Sequence, residues 1–312
     1  MNDFPIVTVI TPNWNTPGLI IAYLESVKKQ DYPPNKVEII IVDNGSSDDS
    51  KIKIKEWFEA NNFFYRNELI SFGRNYGIAA AYNSGYENSS DQSEIIIRTE
   101  SDVELEKDCI RNLIRTLQSD SEIGVAGARG TFFSDHSKTD LPARYINWNT
   151  GVMNSKDPSV LTECDCIFGG TFAVKKDLLK KMGYFFKSDR FFASELEFCT
   201  RVKLKYKKVV CQPSAVSYHK VGNTTGKMNK KKFSFIDSRE LILFHLQYNK
   251  FPSKLFALSY FFLGVCKRFI TGNVYPIWGF FSGLFSFIFK KDVLMPVDNK
   301  LRLISDWMSE KS

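Results

Sequence analysis

The residues of this 312-residue chain whose types and spacing invite chemistry are carboxylates that follow apolar runs. Glu100-Ser101-Asp102 comes after residues 94–98 (EIIIR). Two carboxylates at i and i+2, on a turn leaving a buried strand, can face a hard divalent cation. Such a cation prefers oxygen ligands and keeps positions open for substrate phosphate. The plain alternative is a solvated acidic turn or helix cap, with Glu104 and Glu106 adding charge. Asp43, in VDNGS, ends a second run, residues 38–42 (EIIIV). A carboxylate there can hydrogen-bond a ribose or a base. Equally, it can close an Asx-turn on its own backbone. Neither GxGxxG nor a Walker lysine accompanies it, so this is no phosphate loop.

Two further constellations lie later in the chain. In residues 194–201 (SELEFCTR), Glu195 and Glu197 are two apart and point different ways on a helix. One can enter a pocket as general base while the other pairs with Arg201 at i+4. The ordinary alternative is a charged helix start, where acids favour the N-terminal dipole. His219, in YHKVGNTTG, precedes a lysine and a loop rich in Gly and Thr. It can meet a metal or a diphosphate, although a lone histidine is more often a satisfied surface or core residue.

These groups need elements to hold them. Residues 7–12 (VTVITP) form a β-branched run, and Thr16-Pro17 reads as a helix N-cap with Pro at the first helical position. Leu19, Ile20, Tyr23, Leu24 and Val27 follow at helical spacing. Residues 38–42 and 94–98 are almost continuously apolar, as buried parallel strands are. Further helices are expected over 50–61, 76–87 and 109–117, and strands over 123–128, 167–174 and 209–211. Residues 195–204 read as helix, and residues 129–165 as a polar, irregular loop or insertion. This alternation predicts an α/β fold with a mainly parallel sheet. Ligands of such sheets bind at the carboxyl ends of the strands, where Asp43 and Asp102 both lie.

Composition bounds the rest. With 43% hydrophobic and 14% aromatic residues the chain can bury a large core, and disorder is excluded as its main character. Six cysteines without a CxxC pair are too sparse for a disulfide scaffold and are expected as reduced thiols. The spacing of Cys164 and Cys166 is too tight for zinc. The opening MNDFPIVTVITPNWN lacks the basic segment and apolar run of a secretory leader, so the expected location is the cytoplasm. Net charge is asymmetric. Residues 1–200 hold 22 Lys+Arg against 29 Asp+Glu, and residues 201–312 hold 20 against 6. A basic, aromatic C-terminal third points to an anionic partner.

Taken in order, the motifs resemble glycosyltransferase family 2, the inverting nucleotide-sugar transferases with a GT-A fold. The resemblance runs from about residue 5 to 226. VTVITPNWNTPGLIIAYLESVKKQDYPPNKVEIIIVDNGSSDDS carries the family's opening strand, turn, helix, strand and VDNGS. RNYGIAAAYNSG at 74–85 is similar to N-x-G-x-x-x-A-x-N-x-G, and IIIRTESDVEL to the strand bearing Asp-x-Asp. FGGTFAVKKDLL resembles the acceptor-side segment, and SELEFCTRVKLKY the Glu-Asp-x-Asp-x-x-x-Arg helix.

The resemblance implies a Rossmann-like catalytic domain over 1–226, with nucleotide-sugar binding over about 1–128 and the acceptor side over about 129–226. Pro12, Asn15 and Asp43 would line the nucleoside pocket, and Arg74, Asn83 and Ser101 would lie near base and sugar. Asp102, with Glu100 and His219, would hold Mn2+ or Mg2+ against the donor diphosphate, and Glu195 would be the catalytic base. The donor is expected to be a UDP- or dTDP-sugar, rhamnosyltransferases being among the similar members. Two departures stand out: Glu100 replaces the first Asp of Asp-x-Asp, and Glu195 replaces the expected base Asp. Each keeps a carboxylate and lengthens the side chain by one methylene. Glu197 likewise replaces the following acid.

Residues 227–312 read as a basic, aromatic-rich helical extension. Residues 269–289 carry no charge over 21 residues but include Asn273, Pro276 and three Gly. The expectation is short amphipathic helices at a membrane interface, on the inner face of the cell membrane, with basic residues meeting anionic headgroups. A bundle packing on the catalytic domain or on a second copy, and a true span, are the alternatives. Interfacial docking would suit a glycan or lipid-linked acceptor in cell-surface polysaccharide assembly. Nucleic acid is not expected as a partner, because the aromatics lie in a continuous apolar stretch instead of a stacking platform. A nucleotidyltransferase would carry a Gly-rich basic loop after its first strand, and PNWNTPG is not one. A catalytically weak sugar-nucleotide-binding or scaffolding protein of the same fold is the competing reading.

Overall fold

The structure, a computed structural model, describes residues 4–140, 143–150, 152–182, 194–221, 230–270, 272–289, 294–297 and 300–303. In chain order the elements begin β1 (Val7–Asn13), α1 (Pro17–Lys28), β2 (Val37–Asp43), α2 (Ser50–Ala60), β3 (Arg66–Ser71), α3 (Ile78–Glu87) and β4 (Ile95–Thr99). There follow β5 (Val103–Leu105), α4 (Cys109–Ser119), β6 (Ile123–Phe132), β7 (Asp135–Thr139), β8 (Ala143–Ile146), β9 (Met153–Lys156), β10 (Thr162–Glu163), β11 (Cys166–Ile167) and β12 (Thr171–Lys175). The chain then forms α5 (Lys176–Met182), α6 (Ser194–Lys205), β13 (Lys208–His219), α7 (Lys230–Tyr248), α8 (Ser253–Ile270), α9 (Tyr275–Phe289), β14 (Leu294–Val297) and β15 (Lys300–Leu303).

The main sheet runs β10-β13-β6-β12-β4-β1-β2-β3. Strands β3, β2, β1 and β4 are mutually parallel, and β6 pairs parallel with β13. Strand β12 sits antiparallel between β4 and β6. The expected mainly parallel sheet is therefore present, with one reversed strand inside it.

The apolar runs explain this placement. Every residue of β2 is buried. Val37, Ile39 and Ile41 face one core with Ile20, Leu24 and Ile54, from the helices α1 and α2. Ile40 and Val42 face another with Ala79, Tyr82 and Phe198, from α3 and α6. A strand covered on both faces needs no polar alternation.

Three local expectations change, and one strand was not foreseen. Residues 129–165 are not irregular: β8 pairs with β9 and with β11 in a second sheet, and β7 and β10 join the main one. Their short, polar strands carry little periodic signal. Strand β13 extends from Lys208 to His219, well beyond the expected 209–211. Strand β3 has no buried residue, so it lacks the apolar signature of its neighbours. Thr16 precedes α1 as expected, with Pro17 in the first turn, but its side chain makes no cap hydrogen bond. Its hydroxyl donates instead to Asn13 Oδ1 at 2.8 Å.

The C-terminal extension packs as a helical bundle. Ile242 and Leu246 of α7, Val265 of α8 and Phe280 of α9 share a small core. Phe244 of α7 belongs to the same core as Ile40 and Val42 of β2 and stacks on Trp148 at 5.9 Å. Among the described residues no helix is long and apolar enough to cross a membrane. The expected boundary at 226 and the loop after Val221 lie outside the described residues.

Candidate active site

The carboxyl ends of β1, β2 and β4 meet through a chain of side-chain contacts. Asp43, at the end of β2, is fully buried. Asn13 Nδ2, at the end of β1, donates to Asp43 Oδ1 at 3.0 Å. Thr16 donates to Asn13 and lies 3.4 Å from the hydroxyl of Ser101, beyond β4. Asp43 Oδ2 accepts the Ser46 backbone N–H at 3.0 Å, so the Asx-turn forms as well. Both oxygens are engaged, yet each keeps lone-pair capacity for a second donor.

The turn after Asp43 is fastened to the next segment. Phe72 N–H donates to Asp43 O at 2.9 Å, and Tyr76 N–H to Asn44 Oδ1 at 2.9 Å. Gly45 has φ +80°, and a Cβ there would lie 2.5 Å from the backbone carbon of Arg74. Glycine is required on both counts. Arg74 places its guanidinium 4.9 Å from the Tyr76 ring centre. Asn15 has φ +53° and accepts the Ser47 N–H at 2.9 Å. Pro12 is half-buried on β1, and Asn83 is half-buried on α3. Asn15, Asp43 and Arg74 therefore flank one turn-lined edge.

Backbone register assembles the acidic cluster. Strand β5 pairs antiparallel with β13, setting Val103 opposite His219. Lys220 N–H closes that pairing on Asp102 O at 2.8 Å. Strand β12 pairs with β4, and Glu100 N–H reaches Gly170 O at 3.0 Å. Ligand atoms of Glu100, Asp102 and His219 consequently lie within 4.8 Å of one another. His219 Nε2 stands 3.6 Å from Asp102 Oδ1, and its Nδ1 2.6 Å from Asp140 Oδ2.

The electrostatics of this cluster favour a cation. Burial works against protonation of His219, but the Asp102, Asp140 and Glu100 carboxylates overcome it and push the imidazole up to about 10. Burial pushes Glu100 upward. Arg98 opposes that shift, Asp102 adds to it, and His219 opposes it. Two carboxylates and an imidazole are a donor set suited to Mn2+ or Mg2+, the nitrogen matching Mn2+ better. The carboxylate on the far imidazole nitrogen is the usual support of a metal-binding histidine. The residues present fit the ion the sequence implied.

Glu195 comes from the first turn of α6. Leu196, Phe198, Cys199 and Val202 anchor that helix in the core. Glu195 Oε1 lies 2.7 Å from Arg98 Nη2, which also stands 3.0 Å from Glu100 Oε1. Glu197 turns the other way. It accepts Arg201 Nε at 3.2 Å and Nη2 at 3.2 Å, the i+4 pairing expected from the spacing. Tyr248 of α7 donates to Glu197 Oε1 at 2.5 Å, tying the extension to this helix.

The structure thus gathers Glu100, Asp102, His219 and Glu195 into one neighbourhood, and links Ser101 to Asp43 through Thr16 and Asn13. Sequence reasoning missed Asn13, Arg98 and Asp140. A charge ending the run EIIIR was a signal for Arg98. Nothing local marked Asp140.

Residues 8–182, more than half of the chain, match the family model described as Glycosyl transferase family 2. The chain is 24% identical over 273 residues to the probable glycosyltransferase YdaM of Bacillus subtilis (strain 168), covering 84% of this chain and 63% of that protein. It therefore spans less than two thirds of that relative's length. It is 23% identical over 242 residues to the dolichyl N-acetyl-alpha-D-glucosaminyl phosphate 3-beta-D-2,3-diacetamido-2,3-dideoxy-beta-D-glucuronosyltransferase of Methanococcus voltae, covering 76% of this chain and 74% of that one. Among solved structures it is similar to the mannosyltransferase PcManGT from Pyrobaculum calidifontis in complex with GDP-Man and Mn2+. The TM-score is 0.63 at 18% identity, over 91% of this chain and 88% of that chain. At that identity the likeness is one of fold, and the fold is the GT-A architecture expected from the motifs. By the extent of the family match and the order of its motifs, the chain belongs to glycosyltransferase family 2.

Proposed function

We propose that the chain is an inverting glycosyltransferase. It moves a sugar from a UDP- or dTDP-sugar to an acceptor hydroxyl in cell-surface polysaccharide or glycolipid assembly. The observation that carries this reading is the convergence of Glu100, Asp102 and His219 within 4.8 Å, with Glu195 joined to Glu100 through one arginine. A scaffolding protein would have no need of a third carboxylate held there.

In this reading residues 1–226 are the catalytic unit and 227–312 its extension. Pro12, Asn15, Asp43, Arg74 and Asn83 bind the nucleoside and sugar, with Ser101 beside them. Asp102, Glu100 and His219 hold Mn2+ or Mg2+, which when bound supplies positive charge opposite the leaving diphosphate. Glu195 takes the proton of the acceptor hydroxyl. The acceptor oxygen bonds to the anomeric carbon as the carbon–phosphate-oxygen bond breaks on the opposite face, so configuration inverts. A retaining, two-carboxylate scheme is not needed.

A lipid-linked acceptor fits the dolichyl phosphate in the name of the Methanococcus voltae relative and the surface of the extension. Phe256, Leu263, Trp278, Phe285 and Ile288 are exposed on α8 and α9, which also carry Lys254, Lys267 and Arg268. Aromatic and basic side chains together suit a peripheral position on the anionic, cytoplasmic face of a membrane. A homo-oligomer formed through the same face is the competing outcome.

The test is a thermal-shift panel of nucleoside diphosphate sugars with Mn2+, followed by turnover of the best binder. A ligand bound only by the native state raises the melting temperature. Glu195→Gln should cut transfer by about a thousandfold, leaving a measurable residual rate, while donor binding persists. Transfer near the wild-type rate in that variant would remove Glu195 as the base.

A further inference from the structure

We propose that Arg98 is a positioning residue that clamps the candidate base and a candidate metal carboxylate to one buried guanidinium, and that the two lengthened acids are fitted to it. The inference rests on the reading of Glu195 as base.

Arg98 follows three isoleucines as the penultimate residue of β4 and is fully buried. A charge withdrawn from water is tolerated only where counter-charge meets it. Here two carboxylates do so on the same nitrogen: Glu195 Oε1 at 2.7 Å and Glu100 Oε1 at 3.0 Å from Nη2. The guanidinium lies 4.5 Å from the ring centre of Tyr82 and 5.6 Å from that of Phe172. Its Nε and Nη1 have no hydrogen-bond partner among the described residues. The aromatic walls therefore fix the cation, and Nη2 alone carries its ionic contacts.

Reach decides the rest. An aspartate at 195 or 100 would draw its carboxylate back by about 1.5 Å, one carbon–carbon bond. The contact with Nη2 would then be lost. Both departures from the family's Asp pattern thus share one physical cause. Gly169 completes the fit, because a Cβ there would lie 2.8 Å from the Glu195 carboxyl carbon. The arrangement holds Glu195 in one rotamer beside the metal cluster. It also sets a positive charge next to Glu100 that opposes a bound cation.

These roles separate in the full chain. Arg98→Met should lower kcat at least a hundredfold with the donor KM within threefold. Mn2+ binding, followed by isothermal titration of Mn2+ alone, should tighten severalfold. In a Glu195→Gln background Arg98→Met should cost nothing further, because it acts through that residue. Arg98→Lys should restore part of kcat. Weaker Mn2+ binding together with losses that multiply in the double variant would overturn the proposal and leave Arg98 a packing residue. If Glu195→Gln itself keeps transfer, the base reading fails, while the Mn2+ titration of Arg98→Met still reports its hold on Glu100. Should Arg98→Met not fold, Glu195→Asp decides. A kcat loss of thirtyfold or more at unchanged KM supports the clamp, and wild-type turnover overturns it.

Discussion

His219 donates through Nδ1 to Asp140 Oδ2 at 2.6 Å, across 79 residues of chain. That contact turns the opposite ring nitrogen, Nε2, toward Asp102. Asp140→Asn is expected to weaken Mn2+ binding ten- to a hundredfold without unfolding the chain, the usual cost of losing such a support. Titration of Mn2+ into the variant checks this, and unchanged affinity would remove Asp140 from the site.

The same imidazole gives a pH signature. His219 is raised from 6.5 to about 10 in the folded, metal-free chain. Its stabilising contribution is therefore complete below about 6.5 and disappears as pH rises through about 10. Thermal melts in chelator should fall across that window, and His219→Gln should flatten the slope. Because a metal takes the neutral imidazole, added Mn2+ should stabilise most at the alkaline end. Parallel slopes for wild type and variant would contradict the assignment.

Gly45→Ala tests the nucleoside edge. The new Cβ meets Arg74 backbone in a left-handed conformation, so a cost of about 1–3 kcal/mol is expected. Urea unfolding measures it. Nucleotide affinity should fall with it, since the turn carrying Asp43 and the 72–77 segment separate. An alanine variant with full stability would show that the two segments are not locked together.

The α8–α9 surface predicts selective lipid binding. Co-sedimentation with vesicles containing anionic phospholipid is expected, declining with salt, and little with purely zwitterionic vesicles. Trp278→Ser with Phe285→Ser should weaken it. Equal recovery from both vesicle types, or a dimer whose formation depends on these two residues, would assign the face elsewhere.

Much of this site was legible from residues alone because buried parallel strands read as unbroken apolar runs. A carboxylate that ends or follows such a run then lies at the carboxyl edge of the sheet, as Asp43 and Asp102 do. The pairing of Glu197 with Arg201, which leaves Glu195 toward the site, followed from helical spacing. Asp140 was not legible. It reaches His219 only because β6 and β7 form a hairpin that returns residue 140 to Gly130 O at 2.8 Å. His219 arrives there by the register of β13 against β6, which aligns it with Phe132. Strand β3 was hidden for a different reason, since its half-buried edge position demands no apolar pattern. Thr16 shows a further limit. Its type fits a helix cap, but a nearby amide took the hydroxyl, and no local rule ranks the two.

The most direct measurement is the affinity of uridine and thymidine diphosphates, each titrated with and without Mn2+, into the wild-type chain and Asp102→Asn. If Glu100, Asp102 and His219 hold a cation against a diphosphate, Mn2+ should tighten at least one of these nucleotides tenfold or more, and Asp102→Asn should erase that gain. Nucleotide binding that is equally tight in chelator, or a Mn2+ gain that survives in Asp102→Asn, would contradict it.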